Sequence, residues 1–241
     1  MSPFPSTDRS SRPRTQSAPA ARKAFTLIEL LVVITIISLL LGLALPALAG
    51  ARAQAKSTVC LIRLRTLGQT TTMYAGDWRD MLPRSSHSAF AANLLPWGYA
   101  YLPYINAEHE ADRFAEVQAT HYRCPLDRRD AGQTYAYNVY FELSAQELDP
   151  ASRSGWRRID QSPRPCRTVL FGELLSSTSA DHAMAHFWVQ YDAPPEIDPS
   201  RHSKTNGSGY AFLDGRAAGM PLHKNFDQSA GVDNWNPATA R

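Results

Sequence analysis

Phe25-Thr-Leu-Ile-Glu-Leu-Leu-Val-Val-Ile-Thr-Ile-Ile-Ser-Leu-Leu-Leu-Gly-Leu-Ala-Leu45 is the stretch on which the reading of this chain turns. It carries a single charge, Glu29. As a helix rising about 1.5 Å per residue it is about 31 Å long, against a hydrocarbon core of about 30 Å. A secretory h-region needs only about 7–15 apolar residues. By length and composition this is a membrane span, residues 25–48.

Upstream, residues 1–24 are rich in Ser, Thr, Pro and Arg and show no apolar period. Such a stretch cannot bury enough surface to offset its ordering entropy, so a disordered leader is expected. Downstream of Pro46 the pattern becomes two-faced. Cys60, Leu64, Leu67, Thr71, Tyr74 and Trp78 recur at spacings of four and three, while Arg52, Lys56, Arg63, Arg65 and Gln69 fall mostly on other faces. The spacing predicts an amphipathic continuation of the helix over residues 49–79, ending near Gly76–Asp77 with Pro83 beyond as a stop signal.

Residues 80–241 alternate short strand-like runs with loops. Tyr135, Tyr137, Val139 and Phe141 alternate onto one face. Thr168–Phe171 and Phe187–Val189 are further strand candidates. Tyr210–Leu213, Asp214-Gly215 and Arg216–Met220 read as a hairpin, because Asp-Gly tolerates the positive φ of a two-residue turn. Strands joined in this way imply an antiparallel sheet, and the Cys60–Trp78 stripe is the natural cover for its apolar face. The expected fold class is α+β: a long N-terminal helix packed on a C-terminal antiparallel sheet domain.

The bulk numbers narrow the function. The formal net charge of the 241 residues is +3, and Arg9, Arg12, Arg14, Arg22 and Lys23 in the head face a lone Asp8. The remainder is close to neutral, so no basic surface argues for nucleic acid. Three cysteines, Cys60, Cys124 and Cys166, are too few for a disulfide scaffold and show no paired zinc spacing. They are either one disulfide with a thiol left over, in an oxidising compartment, or three buried thiols. Cys60 on the stripe and Cys124 at the start of a Pro-containing turn are the expected pair.

Glu29 is the most informative residue. A carboxylate in a membrane helix costs about 2.5–3.5 kcal/mol on insertion scales, so it either stays wet in the interface or has a partner. Arg22-Lys-Ala-Phe-Thr-Leu-Ile-Glu-Leu-Leu31 closely resembles the prepilin signal of type IV pilins and type II secretion pseudopilins. The resemblance implies cleavage between Ala24 and Phe25 by a prepilin peptidase that then methylates the Phe25 amine. It also implies that Glu29 pairs with that amine on a neighbouring subunit, and that Pro46 is the helix-breaking proline of such chains. Ala24 stands where the family usually has Gly. The downstream domain resembles a large subgroup of pilin-like proteins with a Leu-Gly-Gln…Met-Tyr-Ala segment (Leu67–Ala75), a Cys-Pro-x-Asp turn (Cys124–Asp127), a Tyr-x-Tyr-Asn strand (Tyr135–Asn138) and a His202…Asp214-Gly215 element. Eleven residues separate His202 from Asp214, and the element is read as a hairpin marker.

Other constellations are weak. His182 and His186 have helical spacing for a metal but read as a solvated loop before Phe187. His109, His121 and Cys124 make only a partial zinc set. Glu108, Glu110 and Asp112 read as a solvated acidic face, and Trp97, Tyr99, Tyr101 and Tyr104 as core rather than a ligand platform. No nucleophile elbow or phosphate loop is present, so no enzyme, cofactor or metal is expected. The resulting expectation is a single-pass inner-membrane protein with residues 80–241 in the periplasm, a filament subunit whose partners are the prepilin peptidase/methyltransferase and other pilin-like subunits. The positive-inside count is nearly tied, so orientation follows the resemblance. Two rivals remain: an exported protein cut after Ala47-Leu-Ala49, and a periplasmic binding protein or hydrolase using the helix as an anchor.

Overall fold

The computed structural model describes residues 25–105, 113–148, 155–190, 194–203 and 206–241. The leader 1–24 and the residues Glu108, His109, Glu110 and Asp112 lie outside them. The chain divides into two compact units, residues 1–47 and 48–241.

The first unit is the apolar half of helix α1, which runs from Leu27 to Asp77. No part of its apolar window is buried within the chain. Leucine, isoleucine and valine side chains from Leu27 to Leu48 all stand exposed, Leu27 at 88%. A helix apolar on every side has no face for water, so its surroundings must be lipid or other helices. Pro46 lies inside α1. The helix break expected there is absent: proline removes one N–H, and the remaining backbone bonds carry the helix through.

In the second unit the rest of α1 is two-faced, as its spacing predicts. Cys60, Leu64, Leu67, Thr71 and Tyr74 are buried. Trp78 departs from the stripe: it is 51% exposed and stacks on Tyr74 at 5.4 Å between ring centres. Helix α1 ends where Arg79 and Asp80 take positive φ and the Asp80 N–H donates to the Ala75 carbonyl. Short helices α2 (Trp97–Ala100), α3 (Leu102–Ile105) and α4 (Phe114–His121) follow. Trp97 and Tyr101 are core residues. Tyr99 instead stacks on Phe114 at 3.9 Å.

The sheet contains β1 (Tyr135–Asn138), β2 (Val169–Glu173), β3 (His182–Ala183), β4 (Ser208–Phe212) and β5 (Ala217–Met220), in the order β3-β1-β2-β4-β5. It is mixed rather than wholly antiparallel, because β3 pairs with β1 in parallel. The first strand stops short of Phe141. The Asn138 side chain accepts from the Tyr140 N–H and starts a 3-10 turn over Val139–Phe141. Phe187–Val189 is no strand: it lies in the 3-10 segment Ala185–Gln190.

Alternation along the strands divides the core. Tyr135, Tyr137, Phe171, Ala211 and Leu213 pack with Cys60, Leu64 and Leu67 of α1. Ala136, Val169, Tyr210 and Phe212 pack with Trp188, Ile197, Phe226 and Trp235. The second layer, which includes the hairpin β6 (Phe226–Asp227) and β7 (Val232–Asp233), was not foreseen. Gly172 makes room for it, since a Cβ there would lie 2.6 Å from the Trp235 ring.

The β4–β5 hairpin forms as expected, with a different turn. Only Gly215 has positive φ (84°). Its N–H donates to the Phe212 carbonyl, so the loop is longer than two residues and closes through one left-handed glycine. That turn lies against α1, where a Cβ on Gly68 would be 2.9 Å from the Gly215 Cα. Two glycines thus let the hairpin tip meet the helix backbone.

Candidate functional site

Two arrangements carry the chemistry of the chain, one at the start of α1 and one buried in the second unit. At the helix start, Glu29 Oε2 accepts from the Thr26 N–H at 2.8 Å and from Thr26 Oγ1 at 2.7 Å. Thr26 Oγ1 accepts in turn from the Glu29 N–H at 3.2 Å. This reciprocal pattern is a capping box, which satisfies two of the helix's orphan donors and places an anion at the positive end of its dipole. Phe25, one residue earlier, is 70% exposed. Ala24 lies outside the described residues, so the junction before Phe25 remains an expectation from the sequence.

The buried arrangement joins four distant segments. Cys60 comes from α1, Cys124 from the Cys-Pro-Leu-Asp turn, Glu173 from the end of β2 and His202 from the loop before β4. One ligand-type atom from each lies within 4.8 Å of all the others. Cys60 Sγ donates to Glu173 Oε1 at 2.9 Å, and His202 Nε2 meets Glu173 Oε2 at 2.8 Å. Cys124 Sγ is 4.0 Å from His202 Nε2. The Gly209 N–H donates to Glu173 Oε2 at 2.6 Å. Tyr135 Oη donates to Cys60 Sγ at 3.2 Å.

The neighbours fix these positions. The Cys124 turn closes through the Asp127 N–H to the Cys124 carbonyl. The Cys124 N–H donates to Thr134 Oγ1, which donates to Asp127. Arg201 reaches both Asp127 (3.2 Å) and Glu173 (3.8 Å). The loop holding His202 is tied by backbone bonds between His202 and Gly207 and between Gly207 and Ser203.

Burial sets the electrostatics against its own tendency. The neighbouring Cys60 thiol is the chief cause holding the Cys124 thiol down at about 7, with His202 helping and burial opposing. Burial, Cys124 and the Glu173 charge push Cys60 up. Burial alone would depress His202, but hydrogen bonds with Cys124 and Glu173 raise it to about 10. Burial alone would raise Glu173, yet the His202 and Cys60 contacts lower it. The ionisations of Cys60 and Cys124 are therefore linked.

Sequence reasoning selected three of these four residues for other reasons. Cys60 and Cys124 are close together, but they are free thiols rather than the expected disulfide. Each sulfur is engaged by the carboxylate–imidazole pair. His202, read as a hairpin marker, is a member of the cluster, and only Asp214-Gly215 belongs to the hairpin. Glu173 was missed. The signal available was a carboxylate ending an apolar strand, where burial demands partners. Cys166 is exposed. His121 contacts Thr120 (2.8 Å) and does not join Cys124. His182 lies in β3 and meets Asp181 at 2.9 Å, whereas His186 lies in a 3-10 segment against Phe187.

Comparison with known families places the prokaryotic N-terminal methylation motif at residues 19–45. No curated protein and no solved structure matches the chain. The matched residues contain the basic Arg22-Lys23 pair, the Ala24–Phe25 junction, Glu29 and most of the exposed apolar run. Residues 19–45 therefore carry the prokaryotic N-terminal methylation motif and run into a long apolar helix, an arrangement consistent with a type IV pilin-like protein.

Proposed function

We propose that this chain is a structural subunit of a type IV pilus or type II secretion pseudopilus-like filament. A prepilin peptidase removes residues 1–24 and methylates the Phe25 amine. The mature chain is then held in the inner membrane by residues 25–48, with its C-terminal domain in the periplasm, until it joins other pilin-like subunits. One observation carries this reading: the methylation motif at residues 19–45 runs into helix Leu27–Asp77, no part of whose apolar window is buried in its own chain. A plain anchor needs the apolar run alone. A filament subunit also needs the basic residues, the cleavage junction and a carboxylate at this depth.

The reading makes the chain a substrate of the peptidase rather than a catalyst. Its physical logic is the pairing of two costly charges. A freed Phe25 amine is a cation and Glu29 an anion at the same shallow depth. Pairing them across subunits removes both penalties as the apolar helices leave lipid for each other. Deleting the prepilin peptidase tests the reading. The chain should then accumulate in the membrane as a precursor retaining residues 1–24, visible as a mass increase on electrophoresis and confirmed by mass spectrometry. Unchanged size in the deletion strain would refute it.

A further inference from the structure

Cys60, Cys124, Glu173 and His202 offer two sulfurs, a carboxylate oxygen and an imidazole nitrogen within 4.8 Å of one another. We propose that they form a structural site for a thiophilic divalent cation of the zinc type. Such an ion takes four ligands in a tetrahedron, with bonds of about 2.3 Å to sulfur and about 2.0–2.2 Å to nitrogen and oxygen. The edges of that tetrahedron are therefore about 3.3–3.8 Å. The observed separations bracket these values. Cys124 Sγ and His202 Nε2 are 4.0 Å apart, while the Cys60–Glu173 and His202–Glu173 contacts are 2.9 and 2.8 Å. The two short contacts end on different oxygens of Glu173, Oε1 for Cys60 and Oε2 for His202, so a cation held through one of them takes the place of both hydrogens and needs the carboxylate to turn.

The surroundings fit a closed site. Cys60, Cys124 and Glu173 are buried and the His202 side chain is nearly so, leaving no ligand position open to solvent chemistry. Two thiolates and a carboxylate exceed the charge of one divalent cation by a single negative charge. The Arg201 side chain, almost fully buried, faces that charge at 3.8 Å from Glu173 while also pairing with Asp127 and Asp198 at 3.2 Å each, so it offsets the charge only in part. Tyr135 Oη donates to Cys60 Sγ and the Gly209 N–H to Glu173, orienting two ligands from behind. Binding displaces the thiol protons and the proton shared by Glu173 and His202 to solvent. The result is a cross-link that ties α1 to the Cys-Pro turn, β2 and the His202 loop, so that the sheet is fastened to the helix at one point.

The test uses the full mature chain in detergent, purified from its native envelope for metal analysis and peptide mapping. A second sample is reduced, freed of reductant and titrated with Co2+ as a spectroscopic probe for the zinc type. One zinc-type ion per chain is expected from the envelope. The Co2+ complex should show thiolate charge transfer and the strong visible bands of tetrahedral coordination. Zn2+ should displace Co2+ and raise the melting temperature. Cys124→Ser and His202→Ala should each weaken Co2+ binding by at least about 100-fold, as loss of a ligand must exceed the about 10–100-fold effect of an outer partner. Cys166→Ser should leave binding unchanged. The spectrum of the unsubstituted chain decides the matter even where a variant does not fold. Absence of tetrahedral thiolate bands, binding unaffected by Cys124→Ser in a folded variant, or a Cys60–Cys124 disulfide in envelope protein would overturn the site. None of these outcomes bears on leader cleavage.

Discussion

A Glu29→Val chain should be cleaved and inserted like the wild type, yet be missing from filaments sheared off the cell. Neither cleavage nor insertion needs a second subunit. Insertion should even become easier, by up to about 3 kcal/mol on insertion scales. Incorporation should fall to background, because the carboxylate proposed to pair with a neighbour's Phe25 amine is gone. The structure adds a complication that the sequence did not reveal: within its own chain Glu29 already closes a capping box with Thr26. Loss of a helix cap costs about 0.5–2 kcal/mol, so the valine variant removes both a cap and a charge. Glu29→Gln separates them. Its amide oxygen can still accept from Thr26, preserving the cap, but it has no charge for the amine. Both variants should be absent from the sheared fraction while membrane fractions hold processed chain in normal amount. Normal assembly of the glutamine variant would reduce Glu29 to a cap and refute the charge pairing.

Asp127→Ala should lower the stability of the second unit by about 3–5 kcal/mol, the usual cost of breaking a buried ion pair by removing one partner. At about 2–4 °C per kcal/mol for a domain of this size, the melting temperature should fall by roughly 6–20 °C. The Asp127 side chain is fully buried between Arg129 at 2.6 Å and Arg201 at 3.2 Å. It also accepts from Thr134 Oγ1 (2.7 Å) and Ser176 Oγ (2.9 Å). Arg129 spends its remaining donors on the carbonyls of Gln133, Thr178 and Leu175. One carboxylate thus holds together the Cys-Pro turn, the segment after β2 and the His202 loop. Burial would raise its pKa, but the Thr134 hydrogen bond, the Arg201 charge and the remaining donors bring it down to about 2. A carboxyl with a lowered folded pKa stabilises fully above its unfolded value of about 3.9 and loses that contribution as pH falls through the folded value. The gap between wild type and variant should therefore be full above about pH 4 and narrow toward pH 2. Thermal unfolding followed by circular dichroism across this range measures it, and equal melting temperatures at neutral pH would contradict the account.

What was legible in the sequence follows from how local each signal is. Helix α1 could be read almost to its last residue, because an apolar run and then an i, i+3, i+4 stripe are properties of neighbours along the chain. The hairpin at Asp214-Gly215 was visible for the same reason. Trp78 was assigned to the buried stripe because spacing places a residue on a face without saying where the covering sheet ends. The strand from Tyr135 was read too long, since alternation continued through Val139 and Phe141 while the Asn138 side chain captured the Tyr140 N–H and turned the backbone. Phe187–Val189 looked like a strand by composition, but it winds as a 3-10 segment in which Trp188 joins the layer covering the sheet's second face while Phe187 and Val189 stand exposed. The buried cluster was hidden for a different reason. Its four members are spread from residue 60 to residue 202, and no spacing rule links them; only the fold of α1, β2 and two loops brings them to one point.

The central claim is that this chain enters a filament through a processed, apolar N-terminal helix. The measurement that tests it most directly is the identity of the N-terminal peptide of this chain in the sheared surface fraction. The account predicts that the chain is present there and begins with N-methylated Phe25, followed by Thr26 and Leu27. A chain beginning at Gly50, or one confined to the membrane with residues 1–24 intact while filaments form without it, would contradict it.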